Sequence, residues 1–181
     1  VNGRRFGLIA WAAGATIIAA GAWADSAGLR LNTTASLPRG LWQVVGRLDT
    51  MRVGDVVAFC PPLTGPILQA RQRGYVGGGT CPGDVEPMMK PVVAREGDRV
   101  AISAFGVIVN GRLVPNSAPM PTDGAGRALP VVKEVEAMVP TGVVWVVSSH
   151  NSRSYDSRYF GPIARESVTA VLRPLWTEAS R

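Results

Sequence analysis

Ser36 and Lys90 are the residues of this chain whose types and surroundings suit hydrolytic chemistry without histidine. Of nineteen basic residues only Lys90 and Lys133 are lysines, and the others are arginines, which stay protonated in proteins and cannot act as a base. Lys90 lies between Met88-Met89 and Pro91-Val92-Val93-Ala94, and an apolar setting disfavours the ammonium form and draws the pKa down. A neutral lysine can then take the proton of a serine hydroxyl. Ser36 falls in Asn32-Thr33-Thr34-Ala35-Ser36-Leu37-Pro38-Arg39-Gly40-Leu41-Trp42, a polar approach, a Pro/Gly turn and an apolar run, which reads as a loop entering a strand. Such a turn can expose the Ser36 hydroxyl with its own N–H aimed at a substrate carbonyl, and Thr34 can add a second oxyanion donor. Ser and Thr side chains also stabilise turns for structural reasons alone, and the segment by itself fits that reading too.

Other residue sets offer weaker chemistry. His150, the sole histidine, would form a Ser-His-Asp triad with Asp156, although a histidine in a polar loop is more often a surface or hydrogen-bonding residue. Lys133 stands beside Glu134 and Glu136 and reads as a solvated strand residue. Gly77-Gly78-Gly79 lacks the Gly-Lys-Ser/Thr continuation of a phosphate-binding loop. Cys60 and Cys81 have no second metal-ligand neighbour, so neither a metal site nor any other cofactor is expected.

The positioning elements begin with an N-terminal segment. Phe6–Ala24 are nineteen uncharged, mostly apolar residues between Arg4-Arg5 and Asp25. At about 1.5 Å per residue such a helix approaches the ~30 Å hydrocarbon core, and the basic pair favours an N-inside orientation. Residues 1–29 therefore read as one transmembrane helix, a retained anchor; the competing reading is a cleavable signal peptide ending at Ala22-Trp23-Ala24. Either way residues 30–181 are expected outside the cytoplasm. In an oxidising compartment a lone cysteine pair is more often bridged than free, and the Cys60–Cys81 bridge would contribute about 3 kcal/mol in the chain-entropy model.

Roughly 150 residues suffice for one domain with a real core, and 46% hydrophobic against 18% charged residues argues against disorder. The net charge of +6 is spread over single arginines without aromatic interleaving, so no nucleic acid partner is expected. The domain reads as mainly β. Leu41–Val45, Asp55–Cys60, Arg99–Ser103, Gly142–Ser148 and Ser167–Leu172 are rich in strand formers and bounded by turn residues. Asn110-Gly111, between Val107-Ile108-Val109 and Arg112-Leu113-Val114, predicts a hairpin. The proline-rich stretch Pro115–Pro130 predicts a long loop or small cap insertion, and Lys90 is expected to start a core strand facing the Ser36 loop.

Taken together, the segments resemble the signal peptidase I family of serine peptidases, and most closely its TraF-type conjugal transfer branch. Asn32–Trp42 is similar to the nucleophile box, Val53–Phe59 to the next core strand, Lys90–Val100 to the general-base box and Ser154–Gly161 to the last box. The resemblance implies Ser36 as nucleophile, Lys90 as base and Thr34 with the Ser36 N–H as oxyanion donors. It implies that Ser154 orients the lysine while Asp156 and Arg158 form a supporting ion pair. It also implies a coiled β-sheet or barrel catalytic domain, with residues 115–130 where signal peptidases carry a variable second domain. Leu37 stands where general signal peptidases usually carry methionine, and Ser149-His150-Asn151-Ser152-Arg153 replaces their acidic, Asn-rich lead. The segments around Cys60 and Cys81 resemble the conjugal branch instead.

The function so implied is a Ser-Lys endopeptidase in the bacterial inner membrane, its catalytic domain periplasmic. Its substrate would be the pilin precursor of a conjugative type IV secretion system, cleaved and in some systems cyclised, with other conjugation-channel proteins as further partners. Two alternatives stand beside it: a general signal peptidase acting on exported preproteins, and a non-catalytic membrane-anchored β domain that binds a secretion-channel partner.

Overall fold

The computed structural model describes residues 3–46, 51–133 and 135–178. Glu134, one of the acidic neighbours of Lys133, lies outside them. Helix α1 (Gly3–Ser26) comes first and leaves Ile9, Trp11, Ile17, Ile18 and Trp23 exposed. Among the described residues no helix is long and apolar enough to cross a membrane. The remainder is mainly β, as the residue pattern predicts.

The strands follow in the order β1 (Leu29–Asn32), β2 (Gly40–Gly46), β3 (Val56–Phe59), β4 (Gly78–Cys81), β5 (Met88–Ala94), β6 (Arg99–Ser103), β7 (Gly106–Val109), β8 (Arg112–Leu113), β9 (Val135–Met138), β10 (Val143–Val146), β11 (Ile163–Ala164) and β12 (Val168–Thr177). Two short helices, α2 (Gly65–Gln72) and α3 (Ser157–Phe160), interrupt them. Seven strands form one sheet in the order β1-β2-β12-β3-β5-β10-β11, and its bonded pairs are antiparallel. A second sheet, β8-β7-β6-β9, is inserted in the chain between β5 and β10.

Period-two alternation explains where β5 puts its side chains. Met88, Lys90, Val92 and Ala94 are buried while Met89, Pro91 and Val93 are half-buried, so the strand delivers Lys90 to the inner face among apolar neighbours. Lys90 is the third residue of this strand and pairs with Val57 of β3. The predicted hairpin forms at Asn110-Gly111, both with positive φ (51° and 79°), between β7 and β8, which pair Val109 with Arg112. That geometry is the one a two-residue turn between twisted strands requires.

The other predicted strands are found at β2, β3, β6, β10 and β12, with β12 running five residues past Leu172. Pro174 looks like a strand stop because it has no N–H to donate, but it falls at a register shift between Pro174 and Trp176, where a bulge tolerates it. Residues 115–130 hold no strand and lie between β8 and β9, with a single bridge from Thr122 to Ala128.

Three apolar groups hold the elements together. Val57, Phe59, Ile67, Val76, Val92, Val146, Phe160 and Ile163 pack the large sheet against α2 and α3. Val100, Ile102, Val107, Trp145 and Val147 join the small sheet to β10. Leu37, Trp42, Ala58 and Leu172 support the loop after β1. Each fully buried side chain of this size is worth about 1.5–3 kcal/mol.

Candidate active site

Ser36 sits in the loop that joins β1 to β2, whose ends are held by the pairing of Asn32 with Gly40. Gly40 is needed there: its φ is 134°, and a Cβ would fall 2.3 Å from the Trp176 carbonyl oxygen of β12. Inside the loop the Asn32 amide nitrogen donates to the carbonyls of Thr34 (3.0 Å), Leu37 (3.1 Å) and Pro38 (3.1 Å). Its Oδ1 accepts from the Thr34 N–H at 3.1 Å and from the Thr34 hydroxyl at 2.8 Å. The Trp42 indole N–H also donates to Pro38. The turn is therefore shaped by a buried asparagine as well as by Pro38 and Gly40.

Lys90 Nζ lies 2.9 Å from Ser36 Oγ, and Thr34 Oγ1 lies 3.0 Å from the same oxygen. Ser36 and Lys90 are both buried. Burial draws the lysine pKa down to about 8, partly opposed by Asp156, assisted by Arg158 and opposed again by Glu86. A useful fraction of Lys90 is thus neutral close to neutral pH, which is what a base for a serine hydroxyl must be.

Asp156 and Arg158 are fully buried and paired side by side: Nε reaches Oδ1 and Nη2 reaches Oδ2, each at 2.8 Å. The remaining guanidinium hydrogens go to the carbonyls of Asn116, Ala118, Ser152 and Ser154. Asp156 Oδ2 also accepts the Ser148 N–H at 3.0 Å. A buried ion pair that is satisfied on all sides organises its neighbours more than it adds stability. This one ties α3, the loop after β8 and the end of β10 to one point.

Ser154 lines the same cleft as Ser36 and Lys90. Its hydroxyl is buried and has no hydrogen-bond partner among the described residues, so no bond joins it to Lys90. His150 is exposed and touches Ser148 Oγ only through its backbone N–H, while the Asp156 oxygens serve Arg158 and Ser148; the two are not arranged as part of a triad. Among the described residues no group of His, Cys, Asp and Glu is placed to hold a metal ion.

Two participants were not singled out from the sequence. Asn32 is one. Ser148 is the other: fully buried two residues past β10, it donates its hydroxyl to the Ser36 carbonyl at 2.6 Å. A hydrophilic asparagine at a strand end, where its neighbours are apolar or β-branched, was the available signal for the first. Nothing local signals the second, whose partner is more than a hundred residues away.

The cleft has a volume of about 450 Å³ and is walled by Leu31 and the Ser36 loop, by Met88 and Met89, and by Tyr75, Tyr155 and Tyr159. Tyr155 and Tyr159 stack with centroids 5.0 Å apart. Residues 120–129 close one side: Asp123 is bonded to the Tyr75 hydroxyl and to Arg127, and Arg73 donates to the Ala128 carbonyl. Cys60 and Cys81 form a disulfide with Cα atoms 5.4 Å apart. It links the segment after β3 to the end of β4 and brackets α2 and Tyr75.

A nucleophile beside a buried, partly neutral amine, with a second hydroxyl next to it, can carry out acyl transfer on a carbonyl laid in this cleft. Residues 4–176 match the family described as Signal peptidase, peptidase S26. A plasmid transfer protein TraF of Escherichia coli is 43% identical over 170 residues, covering 93% of this chain and 94% of that protein. A conjugal transfer protein TraF of Agrobacterium tumefaciens (strain 15955) is 40% identical over 174 residues, covering 96% and 97%. A crystal structure of a signal peptidase I from Enterococcus faecalis V583 is 18% identical, covers 68% of this chain and 97% of its own, and superposes with a TM-score of 0.39.

Proposed function

The chain belongs to the peptidase S26 signal peptidase family, and on that premise we propose that it is a membrane-anchored Ser-Lys endopeptidase that matures the pilin precursor of a conjugative type IV secretion system. The observation that carries the reading is the 2.9 Å approach of Lys90 Nζ to Ser36 Oγ inside the cleft. The TraF names of its relatives in plasmid and conjugal transfer support the conjugal setting. The proposed anchor rests on the sequence, on the uncharged Phe6–Ala24 run, since no described helix by itself is long and apolar enough to span a membrane; Arg4-Arg5 would hold the start of that run inside and leave the cleft in the periplasm.

Neutral Lys90 takes the Ser36 proton as Oγ attacks the scissile carbonyl. The negative charge on the carbonyl oxygen is met by the Ser36 N–H and the Thr34 hydroxyl, and the protonated lysine then gives its proton to the departing amine. An ester on Ser36 remains. Water releases a linear product and restores the serine; an amino terminus of the same substrate closes a ring with loss of the ester. Both fates use the same groups.

The test is processing in cells that lack any other copy of the gene. Ser36→Ala and Lys90→Arg are each expected to leave the precursor uncut while the protein accumulates at normal level. Normal processing by either variant overturns the reading. Processing of many exported preproteins by the unaltered chain would make it a general signal peptidase. For the cut pilin, an intact mass lighter by one water, with no free amino terminus, identifies the ring; the full linear mass identifies hydrolysis.

A further inference from the structure

The hydrogen bonds around Ser36 have a direction that can be worked out from donors and acceptors. The orientation of the Asn32 amide is fixed by its surroundings, because three carbonyls face one end and the Thr34 N–H faces the other. The end toward Thr34 is therefore oxygen, which can only accept. The Thr34 hydroxyl lies 2.8 Å from that oxygen and donates to it. With its one hydrogen so used, Thr34 Oγ1 accepts from Ser36 Oγ at 3.0 Å, and Ser36 Oγ in turn accepts from Lys90 Nζ at 2.9 Å. The hydrogens thus run Lys90 to Ser36 to Thr34 to Asn32, so the serine proton points away from the amine that must remove it.

We propose that Asn32 is a positioning residue that locks this chain in its resting direction, and that a substrate releases the lock by drawing the Thr34 hydroxyl from Asn32 to its own carbonyl oxygen. Thr34 has one hydrogen to give and two claimants for it. When that hydroxyl rotates from Asn32 to the developing oxyanion, the lone pair that held the Ser36 hydrogen swings away with it, and the serine proton turns to Lys90. Filling the oxyanion site and engaging the base become one event. Water entering an unoccupied cleft would meet a serine whose proton is directed away from the base.

The inference rests on the peptidase reading of Ser36 and Lys90, but its test does not require turnover. The chain has two lysines, so full-length protein isotopically labelled at lysine Cε gives two side-chain signals in the NMR spectrum, and the Lys90 titration can be followed directly. The charged groups acting on Lys90 are Asp156 and Arg158, from the loop and helix packed against it, and Glu86, ahead of its own strand; the substitutions below leave all three in place. Thr34→Val removes the middle hydroxyl and frees the serine proton for Lys90. Accepting that proton stabilises the neutral amine, so the Lys90 midpoint is expected to fall by about half a pH unit.

Asn32→Ala removes the terminal acceptor and is expected to give the same fall, with the double variant shifted no further than either single one. An unmoved midpoint in Thr34→Val, or shifts that add in the double variant, overturns the proposal. If Asn32→Ala fails to fold because its amide also ties down three carbonyls, Thr34→Val decides alone. Cleavage of a fluorogenic peptide with small residues before the scissile bond is measured alongside. No cleavage by the unaltered chain removes the peptidase reading, and the Lys90 titration still decides whether Asn32 sets the direction.

Discussion

The Ser148 hydroxyl donates to the backbone carbonyl of Ser36 across 2.6 Å, with both residues buried. Because the Ser148 N–H is itself bonded to Asp156, the Asp156–Arg158 pair is connected through one serine to the backbone of the Ser36 loop. The ion pair therefore acts on the position of Ser36 through a hydrogen bond as well as on Lys90 through its charges.

Ser148→Ala leaves the Ser36 carbonyl without that donor in a buried setting. The expected loss of stability is about 1–3 kcal/mol, read as a lower midpoint in urea, and kcat should fall while KM changes little, since the loop that holds the nucleophile loosens and the cleft walls do not. Unchanged kcat with lowered stability would confine Ser148 to the fold.

With the Lys90 pKa drawn down to about 8 by burial, its amine is mostly protonated below that pH and mostly neutral above it. The acidic limb of the kcat/KM profile should therefore rise with pH and bend near 8. A limb that bends near 6 would point to a group other than the lysine.

The same burial has a sign in stability. Between pH 8 and the ordinary lysine value of about 10.4 the unfolded chain holds a proton that folded Lys90 lacks, so stability rises with pH across that window, by roughly 3 kcal/mol if nothing else titrates. Lys90→Met should flatten the rise and be more stable than the parent at pH 7, as measured by denaturant titration at a series of pH values. An equal rise in the variant would assign the effect to other groups.

The disulfide between Cys60 and Cys81 closes a stretch of chain with a sequence separation of 21, worth about 3 kcal/mol in the chain-entropy model. Replacing both cysteines with alanine should lower stability by about that amount and lower activity only to the extent that Tyr75 shifts in the cleft wall. Alkylation of the unreduced folded protein, followed by mass measurement, should add nothing; two alkyl groups would show free thiols.

Much of the site was legible because it depends on local pattern. The alternation through Met88–Ala94 puts a lysine on a buried face, and two apolar neighbours on each side already say so. The Asn110-Gly111 turn declares itself for the same reason, since few residue pairs accept positive φ twice in succession. Asn32 and Ser148 were not legible in that way. Their roles consist of bonds to a folded loop and to a residue 112 positions distant, and such bonds exist only once the sheets have formed. Helix α2 went unread although Thr64-Gly65-Pro66 is a reasonable helix start, because its eight residues carry too weak an apolar stripe to stand out. The strand expected over Ser167–Leu172 runs on to Thr177 because the register shift at Pro174 absorbs the missing donor.

In the large sheet, β12 lies between β2, which follows the Ser36 loop, and β3, which pairs with the strand of Lys90. It is also the strand that comes after every other described element. The supports of serine and lysine are thus joined in the sheet through β12, whose Trp176 carbonyl lies against Gly40. The strand order makes the alignment of Ser36 with Lys90 depend on β12, the one described strand that bonds to the supports of both.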